Sequence, residues 1–262
     1  GAPAWVTYLD GDTPCSDDRA LAVAVGSGVV GIEGAAAGAL GGHFAVVMLS
    51  GSTGAEQWRY TLPNGEATAV AIASNGDVVG AGVAGSRFTV VRLGAQDGHQ
   101  VWKVGSDDGR AAGVAIDRNG DVVATGEHGG ACGQAPCAAV KLLGSTGAQL
   151  WRAPYAAVGV ASTPPVALAL APNGDPILAG TTNDAFTVVK LATQNGNLIG
   201  RYQDSAGSRA LAVASDSTGL ALATGTVPGN PPNDDWLVAK VDLDDEDTVW
   251  TRIFVGTDGT ND

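Results

Sequence analysis

One phrase recurs five times along this 262-residue chain, and it limits the possible folds more than any other feature. Each copy contains four short segments separated by glycine-containing turns. The first segments are RALAVAV (19–25), EATAVAI (66–72), RAAGVAI (110–116), PPVALAL (164–170) and RALAVAS (209–215). In most of them, bulky residues alternate with alanine or glycine. A period of two predicts β-strands.

The other three segments of each copy also have the length and composition of strands. The third segments are FAVVML (44–49), FTVVRL (88–93), CAAVKL (137–142), FTVVKL (186–191) and WLVAKV (236–241). We name the four strands of a repeat a, b, c and d. Four antiparallel strands in every ~40–50 residues are typical of a β-propeller blade. A β-sandwich, the alternative all-β fold, would not repeat one four-strand phrase five times.

The repeat predicts a single all-β propeller domain over 1–262. Five complete four-stranded blades are expected at approximately 19–61, 66–105, 110–154, 164–203 and 209–254. An extra d strand is expected at 4–9. Because both ends of the sequence fall inside a repeat, we expect the chain to be part of a larger ring of six to eight blades. The rest of that propeller, or another polypeptide, would then pair with strand 4–9.

A Thr-Gly…Trp phrase joins strands c and d. It reads Thr53-Gly54…Trp58 and Thr146-Gly147…Trp151, with Gly98…Trp102 as a weaker copy. These blades resemble those of quinoprotein-like propellers, and the wider repeat resembles bacterial extracellular β-propeller repeats. The resemblance implies that each tryptophan docks one blade against the next. The residues with this implied role are Trp5, Trp58, Trp102, Trp151 and Trp250.

The resemblance does not extend to catalysis. Quinone-binding relatives use a larger ring, adjacent cysteines and calcium ligands, whereas four residues separate Cys132 from Cys137. We therefore transfer no catalytic residue and expect no cofactor, since one fold serves many functions. The fourth repeat has Gly200 in place of tryptophan, and we expect Ile199 or Tyr202 to fill that docking position.

The lengths of two kinds of connection vary between repeats, namely b–c and d–a. Both emerge from the same side of a meandering four-stranded sheet, which we call the variable face. The long b–c loops are predicted at 34–43, 127–136 and 226–235, and the long d–a loops at 10–18 and 154–164. Insertions in repeat proteins often mark the binding face. The candidate binding residues are Asp17, Asp18, His43, Glu127, His128, Asn230, Asn233 and Asp234.

These features predict a non-catalytic binding or assembly module for a protein partner. The alternative is a carbohydrate-binding lectin or a propeller enzyme with its site at the variable face or the channel mouth. A net charge of −13 argues against nucleic-acid binding, which needs a basic surface. No apolar run approaches the ~20 residues of a membrane-spanning helix.

Cysteine placement predicts the compartment. Cys132 and Cys137 flank a Gly/Pro-rich tip, and a disulfide there would fit an extracellular, cell-surface or periplasmic protein. A zinc site and two free thiols are the alternatives. Cys15 is then unpaired within this sequence, either free or bonded to a partner outside it.

One acidic turn contains Asp242, Asp244 and Asp245. Several carboxylates close together are the ligands that calcium prefers. The glycine and distal glutamate of a helix–loop–helix calcium loop are missing, however, so we favour a solvated acidic turn, with calcium binding as the alternative.

Overall fold

The structure is a computed structural model that describes residues 4–11, 17–28, 31–128, 137–154, 167–229 and 234–255. In these ranges every regular element is a β-strand and no helix occurs. Consequently, the described residues include no helix with the length and hydropathy needed to cross a membrane. The chain divides into two compact units. Unit 1 comprises Gly1–Gly130 and Leu142–Gln149, and unit 2 comprises Ala131–Lys141 and Leu150–Asp262.

Unit 1 contains the strands of repeats 1 and 2 and the first half of repeat 3. They are β1 (Arg19–Gly28), β2 (Gly31–Leu40), β3 (His43–Ser50), β4 (Glu56–Leu62), β5 (Gly65–Ile72), β6 (Val78–Ala84), β7 (Arg87–Leu93), β8 (Gln100–Ile116) and β9 (Val122–His128). Strands β1 to β4 form an antiparallel four-stranded sheet in chain order, and β5 to β9 are also neighbours in chain order. β8 serves as both strand d of repeat 2 and strand a of repeat 3.

The remaining strands continue the same pattern, and most of their residues lie in unit 2. They are β10 (Cys137–Leu142), β11 (Gln149–Pro154), β12 (Ala167–Leu170), β13 (Pro176–Thr182), β14 (Ala185–Leu191), β15 (Leu198–Ala206), β16 (Arg209–Ser215), β17 (Ala221–Pro228), β18 (Asp234–Asp242) and β19 (Asp247–Phe254). Strands β12 to β15 form one four-stranded sheet and β16 to β19 another. The blade boundaries and the single-domain assignment for 1–262 stay predictions.

The core of each unit lies between consecutive four-stranded sheets. In unit 1, Phe44, Val46 and Met48 of β3 pack against Val78 and Val91 of the next repeat. In unit 2, Phe186 and Val188 of β14 belong to one cluster with Ala223, Leu237 and Ala239 of repeat 5. A bulky face therefore meets an alanine-containing face at each of these two interfaces, which lets the sheets approach closely.

Strand b of repeat 1 differs from the prediction. Residues 34–40 were expected in a b–c loop, but they belong to β2, and only Gly41 and Gly42 separate β2 from β3. Alanine and glycine have low strand propensity, yet here they are needed because Ala35, Ala37 and Ala39 are buried in the narrow space between sheets. The additional residues of this repeat lengthen the a–b hairpin, so its insertion is not on the variable face.

Four tryptophans dock one repeat onto the next. Each indole N–H donates to the backbone oxygen of the second residue after strand c of the following repeat: Trp5 to Gly51 (2.9 Å), Trp58 to Ala95 (3.0 Å), Trp102 to Gly144 (2.7 Å) and Trp151 to Thr193 (2.9 Å). Each ring also covers the glycine at the fifth position after that strand, which has positive φ: Gly54, Gly98, Gly147 and Gly196. We call these two positions the docking slot.

The slot of repeat 5 is built differently. A Cβ atom added to Gly200 would overlap the carbonyl oxygen of Leu243, so the two backbones touch directly. Glu246 occupies the fifth position with φ of 56°, and its Cγ would lie 3.4 Å from that added Cβ. The expectation that Ile199 or Tyr202 fills this position is therefore wrong, because close backbone approach and the glutamate side chain fill it.

A second tether uses the penultimate residue of strand c, which is basic in four repeats. Arg92 Nη1 donates to Gly144 O (3.1 Å), and Lys141 Nζ donates to Thr193 O (3.1 Å). Lys190 Nζ lies 2.7 Å from both carboxylate oxygens of Asp244. Arg92, Lys141 and Lys190 thus reach the c–d turn of the following repeat and form hydrogen bonds there, whereas Lys240 pairs with Asp216 of its own repeat at 2.8 Å.

The N-terminal segment docks without forming a strand. Trp5 occupies the slot of repeat 1, and Thr7 Oγ1 donates to Gly54 O at 2.6 Å. Residues 5–11 nevertheless have no strand assignment. The expected extra d strand at 4–9 is thus docked as predicted but unpaired, because among the described residues no strand c lies beside it to complete a ladder.

Candidate functional site

On the variable face, the b–c turns of repeats 1, 2 and 4 are short and are hydrogen-bonded to the following d–a connection, and we call these bonded turns the frame. Each b–c connection there has two residues: Gly41–Gly42, Gly85–Ser86 and Asn183–Asp184. The backbone of the following d–a connection is bonded to it, through Gly65 N to Gly42 O (3.0 Å), Gly109 N to Ser86 O (3.0 Å) and Gly207 N to Asp184 O (2.5 Å). Turns held in this way give fixed positions for side chains that border them.

Asp18 is part of this frame. Its carboxylate accepts from Gly11 N at 3.1 Å and from Gly41 N at 2.7 Å, which ties the N-terminal segment to the β2–β3 turn. Gly11 lies so close to this turn that an added Cβ would be 2.5 Å from Gly41 N. The predicted binding residue Asp18 is therefore a positioning residue for its neighbours.

Asp17 lies beside an open cavity of 530 Å³ in unit 1. The cavity is lined by Asp17, Arg19, Ala39, Gly41, Gly42, Asn64, Gly65, Glu66 and Val83. Asn64 adopts φ of 53°, a conformation that asparagine tolerates better than most residues. Exposed backbone from the turns and charged side chains thus surround a space large enough for several residues of an extended peptide.

Glu66 is one of three charged residues that line this cavity, together with Asp17 and Arg19. Its side chain is 14% exposed and forms ion pairs with Arg19 (3.4 Å) and with Arg110. The two arginine side chains are 61% and 50% exposed, respectively. These three residues begin, or nearly begin, strand a in three successive repeats. These three side chains alone sum to +1, and the carboxylates of Asp17 and Glu127 lie on neighbouring positions.

The geometry of the guanidinium donors determines which ligand atoms this group of side chains can bind. Each guanidinium has five N–H donors and can bind a carboxylate or carbonyl oxygen in a planar, two-pronged arrangement. Arg19 and Arg110 share Glu66 and keep half or more of their side-chain surface exposed. We call Arg19, Glu66 and Arg110 the arginine–glutamate triad.

Sequence reasoning overlooked this triad. Asp17 and Asp18 directly precede Arg19, and Asp107 and Asp108 lie just before Arg110, so adjacency in the sequence suggests ion pairs within one loop. The structure instead pairs both arginines with Glu66 of the repeat between them. The alternating charges Arg19, Glu66 and Arg110 in one aligned column are the signal that could have found it.

The other predicted binding residues are scattered. His43 is exposed at the start of β3 and does not line the cavity. Glu127 is exposed near the end of β9, where it is the ladder partner of Arg110. Asp234 is exposed at the start of β18 in unit 2. Asn230 and Asn233 lie outside the described residues, and of His128 only the backbone in β9 is described.

The acidic turn of repeat 5 has a structural partner. Both Asp244 oxygens accept from Lys190 Nζ, whose side chain is 2% exposed, and Asp242 Oδ1 accepts from Asp244 N at 3.0 Å. Asp245 is exposed. Within the described ranges, no three carboxylate, imidazole or thiol groups are arranged to hold a metal ion. Calcium binding by these aspartates stays a prediction without structural support.

The proposed disulfide cannot be followed in the structure. Cys132 and Cys15 lie outside the described residues, and Cys137 is described only through the backbone of β10. The pairing of Cys132 with Cys137 therefore stays a prediction.

Four-stranded antiparallel sheets, packed face to face in repeat order within each unit, define the chain as a β-propeller protein. Solved propellers confirm this class. The chain is similar to the Dos1 propeller, with a TM-score of 0.65, 11% identity, and coverage of 93% of this chain and 60% of that one. It is also similar to the C-terminal WD40 domain of Sif2, with a TM-score of 0.62, 11% identity, and coverage of 86% and 56%.

A third similar structure is Sqt1 of Chaetomium thermophilum, bound to the N-terminus of the ribosomal protein L10. Its TM-score is 0.62 at 16% identity, and the match covers 87% of this chain and 60% of that one. The chain thus spans about 56 to 60% of the length of these three structures. No protein-family description matches the chain, and no curated protein matches it. At these identities the likeness establishes the fold.

Proposed function

We propose that this protein is a non-catalytic binding module that holds a segment of a protein partner on the variable face. The observation that carries the proposal is the arginine–glutamate triad beside the 530 Å³ cavity. Its arginines are exposed, yet Glu66 fixes their positions. Preorganised donors of this kind bind oxygen atoms of a partner at low entropic cost.

The partner segment should carry a carboxylate. The exposed guanidinium groups of Arg19 and Arg110 can each hold a carboxylate in a planar, two-pronged arrangement, whereas the acidic groups nearby cannot. The hydrogen-bonded turn backbone at Gly41, Gly42 and Gly65 borders the cavity and gives it a fixed shape. Sqt1, a fold neighbour, is bound to the N-terminus of a ribosomal protein, a precedent for peptide recognition.

Carbohydrate binding, the alternative function, lacks a supporting observation. Lectin sites usually include an aromatic ring that stacks on the sugar, and among the described residues none that lines this cavity is aromatic. A protein partner therefore fits the cavity better than a sugar does.

We also propose an extracellular, cell-surface or periplasmic location and a quinoprotein-like blade type. The tryptophan docking slots support the blade type, and the spacing of Cys132 and Cys137 supports an oxidising compartment. Mass spectrometry after alkylation of the native protein tests the second point. A cysteine pair that is fully alkylated without reduction would contradict it.

The binding proposal can be tested with a displayed library of random peptides. Peptides selected on the wild-type protein should be enriched in Asp and Glu. Their affinity should fall about tenfold or more in the Arg19→Glu/Arg110→Glu variant, because each lost charge-assisted contact weakens binding by about 1.5–3 kcal/mol. Binding would be measured by calorimetry with one synthetic peptide.

A matched control reverses a charge on the opposite face. Arg118 is exposed in the a–b turn of repeat 3, so Arg118→Glu should leave peptide affinity unchanged. The proposal fails if the selected peptides bind equally well to the wild-type and triad variants, or if Arg118→Glu weakens binding as much as the triad reversal.

A further inference from the structure

One carboxylate is buried between repeats 1 and 2. Glu33 of β2 is 2% exposed, and none of the described residues forms a hydrogen bond with either of its carboxylate oxygens. Alternate side chains lie on one face of a strand, so Glu33 shares its face with Ala35 and Ala37, which pack against repeat 2. Buried charges in proteins are normally paired or bound to a metal ion, because an ionised carboxylate is strongly disfavoured away from water.

The equivalent residues of repeats 1 and 2 follow from their ladder registers. In both repeats, strand c contains a leucine whose partner in strand b directly follows an acidic residue, and the residue before that leucine pairs with the docking tryptophan. These registers make the following residues equivalent: Glu33 and Asp77, Met48 and Arg92, and Leu49 and Leu93. The acidic residue and the residue before the leucine can therefore be compared directly between the two repeats.

In repeats 2 to 4 this acidic residue holds the c–d turn of its own repeat. Its Oδ1 atom accepts from the backbone N–H of the second residue after the leucine: Asp77 from Ala95 (3.2 Å), Asp121 from Gly144 (2.9 Å) and Asp175 from Thr193 (2.8 Å). In repeat 1 the corresponding N–H belongs to Gly51 and donates to Ile32 O at 3.1 Å. Glu33 therefore lacks the bond that satisfies its counterparts.

The positive charge of the next interface is replaced by an apolar side chain at this one. Arg92 Nε lies 3.0 Å from Asp77 Oδ2. Its Nη1 atom donates to Gly120 O and to Gly144 O, at 3.1 Å each. One guanidinium thus joins a carboxylate to two carbonyl oxygens of repeat 3. Met48, in the same position of repeat 1, carries neither a charge nor an N–H donor.

Repeat 2 offers the same two carbonyl groups to repeat 1. Gly76 corresponds to Gly120 in the a–b turn, and Ala95 corresponds to Gly144 in the c–d turn. The geometry is preserved, since a docking tryptophan donates to Ala95 O as another does to Gly144 O. The interface between repeats 1 and 2 therefore combines the Glu33 carboxylate with two carbonyl oxygens. Oxygen atoms of these kinds are the ligands that hard cations prefer.

We propose that the interface between repeats 1 and 2 binds a monovalent metal cation, Na⁺ or K⁺, between Glu33 and the carbonyl oxygens of Gly76 and Ala95. The ion takes the place that the guanidinium of Arg92 has one interface further along the chain. A single positive charge neutralises the single carboxylate, whereas a divalent ion would leave an excess charge in an apolar environment that includes Met48. The site shares no residue with the arginine–glutamate triad, so the inference is independent of the proposed binding function.

Thermal unfolding of the full chain in sodium, potassium or tetramethylammonium chloride tests the site. Equal ionic strength keeps general screening the same in the three salts, and tetramethylammonium is too bulky to replace a bare metal ion. The Tm of the wild type should be higher by about 3 °C or more in the sodium or the potassium salt than in the tetramethylammonium salt, because an ion that binds only the folded state stabilises it by mass action.

Two variants should remove this difference between salts. Glu33→Gln keeps the size of the side chain but removes its charge, and Met48→Arg supplies the internal guanidinium that repeat 2 has at Arg92. Asp77→Asn is the matched control, because Arg92 already serves that interface. The Tm of this control should still depend on the cation as it does in the wild type.

The proposal is overturned if the wild type has the same Tm in all three salts, which would mean that Glu33 holds a proton or a water molecule instead. It is also overturned if Glu33→Gln retains the wild-type dependence on the cation. Should Met48→Arg fail to fold, the comparison of Glu33→Gln with Asp77→Asn still decides, because both substitutions preserve the size of the side chain.

Discussion

The indole ring of Trp58 lies directly against Gly98 of the next repeat. A methyl group added at Gly98 would be 2.5 Å from Cε3 of the ring, while the indole N–H donates to Ala95 O at 3.0 Å. Gly98 has φ of 67°, a conformation that costs little only for glycine. The glycine therefore serves two purposes, the turn and the space for the ring.

Gly98→Ala should lower the free energy of unfolding by about 2–4 kcal/mol, because overpacking is added to backbone strain. The measurement is urea unfolding followed by tryptophan fluorescence. Gly85→Ala is the matched control, since Gly85 has φ of 56° but no atom within 4 Å of an added Cβ. It should cost about 1 kcal/mol. Equal losses for the two variants would show that the ring contact contributes nothing.

The contact of Gly200 with Leu243 makes a similar prediction for repeat 5. An added methyl would overlap the Leu243 carbonyl, so Gly200→Ala should destabilise the protein by about 3 kcal/mol. Gly105 is also a strand glycine, and a Cβ there meets nothing within 4 Å. Gly105→Ala should therefore be neutral or slightly stabilising in thermal unfolding, and a similar loss in both variants would contradict this explanation.

The Lys190–Asp244 pair can be separated into its parts by a double-mutant cycle. Asp244→Ala leaves the buried ammonium without its partner and should cost about 2–3 kcal/mol. Lys190→Met should be tolerated better, because Met48 occupies the equivalent position of repeat 1. The combined variant should recover most of the stability lost in Asp244→Ala. Additive losses in urea unfolding would mean that the pair does not couple the two repeats.

Ionisation of Tyr202 should lower the free energy of unfolding at alkaline pH. Burial, together with the hydrogen bond to Asp204 at 3.0 Å, raises the pKa of the Tyr202 phenol well above 10. The folded protein therefore keeps this proton to a higher pH than the unfolded chain does. The phenol's contribution to the free energy of unfolding is fully present below pH ~10 and is lost as the pH rises further. Between about pH 9 and pH 11, which brackets the ordinary tyrosine pKa, the Tyr202→Phe variant should lose less free energy of unfolding than the wild type in urea unfolding. An identical pH dependence for both proteins would disprove the assignment.

Much of the fold could be predicted from the sequence because strand periodicity and turn glycines are local signals. The docking role of Trp58, Trp102 and Trp151 was implied by the resemblance to quinoprotein-like blades, and in the structure each indole N–H donates to the c–d turn of the following repeat. Residues 34–40 were misassigned to a loop because their alanines and glycines are explained only by the sheet that covers them. Local propensity cannot report that tertiary requirement.

The candidate site was harder to predict for a related reason. Asp18 and Arg19 are adjacent in sequence, yet Asp18 holds the turn at Gly41 whereas Arg19 pairs with Glu66 of the next repeat. Which partner each side chain finds depends on how strand a of one repeat is placed beside strand a of the next. That placement follows from packing between sheets, which sequence spacing does not specify.

The paired change at Gly200 and Glu246 has a consequence for the order of the repeats. At the interfaces built from a tryptophan and a glycine, one repeat could follow any other, because each of these repeats carries both the docking tryptophan and the glycine that receives it. Tryptophan in place of Gly200 would strike the Leu243 backbone, and a docking tryptophan from another repeat would meet the Glu246 side chain. The contact between repeats 4 and 5 therefore fits only this pair of repeats. It disfavours misfolded or domain-swapped forms in which another repeat takes either place.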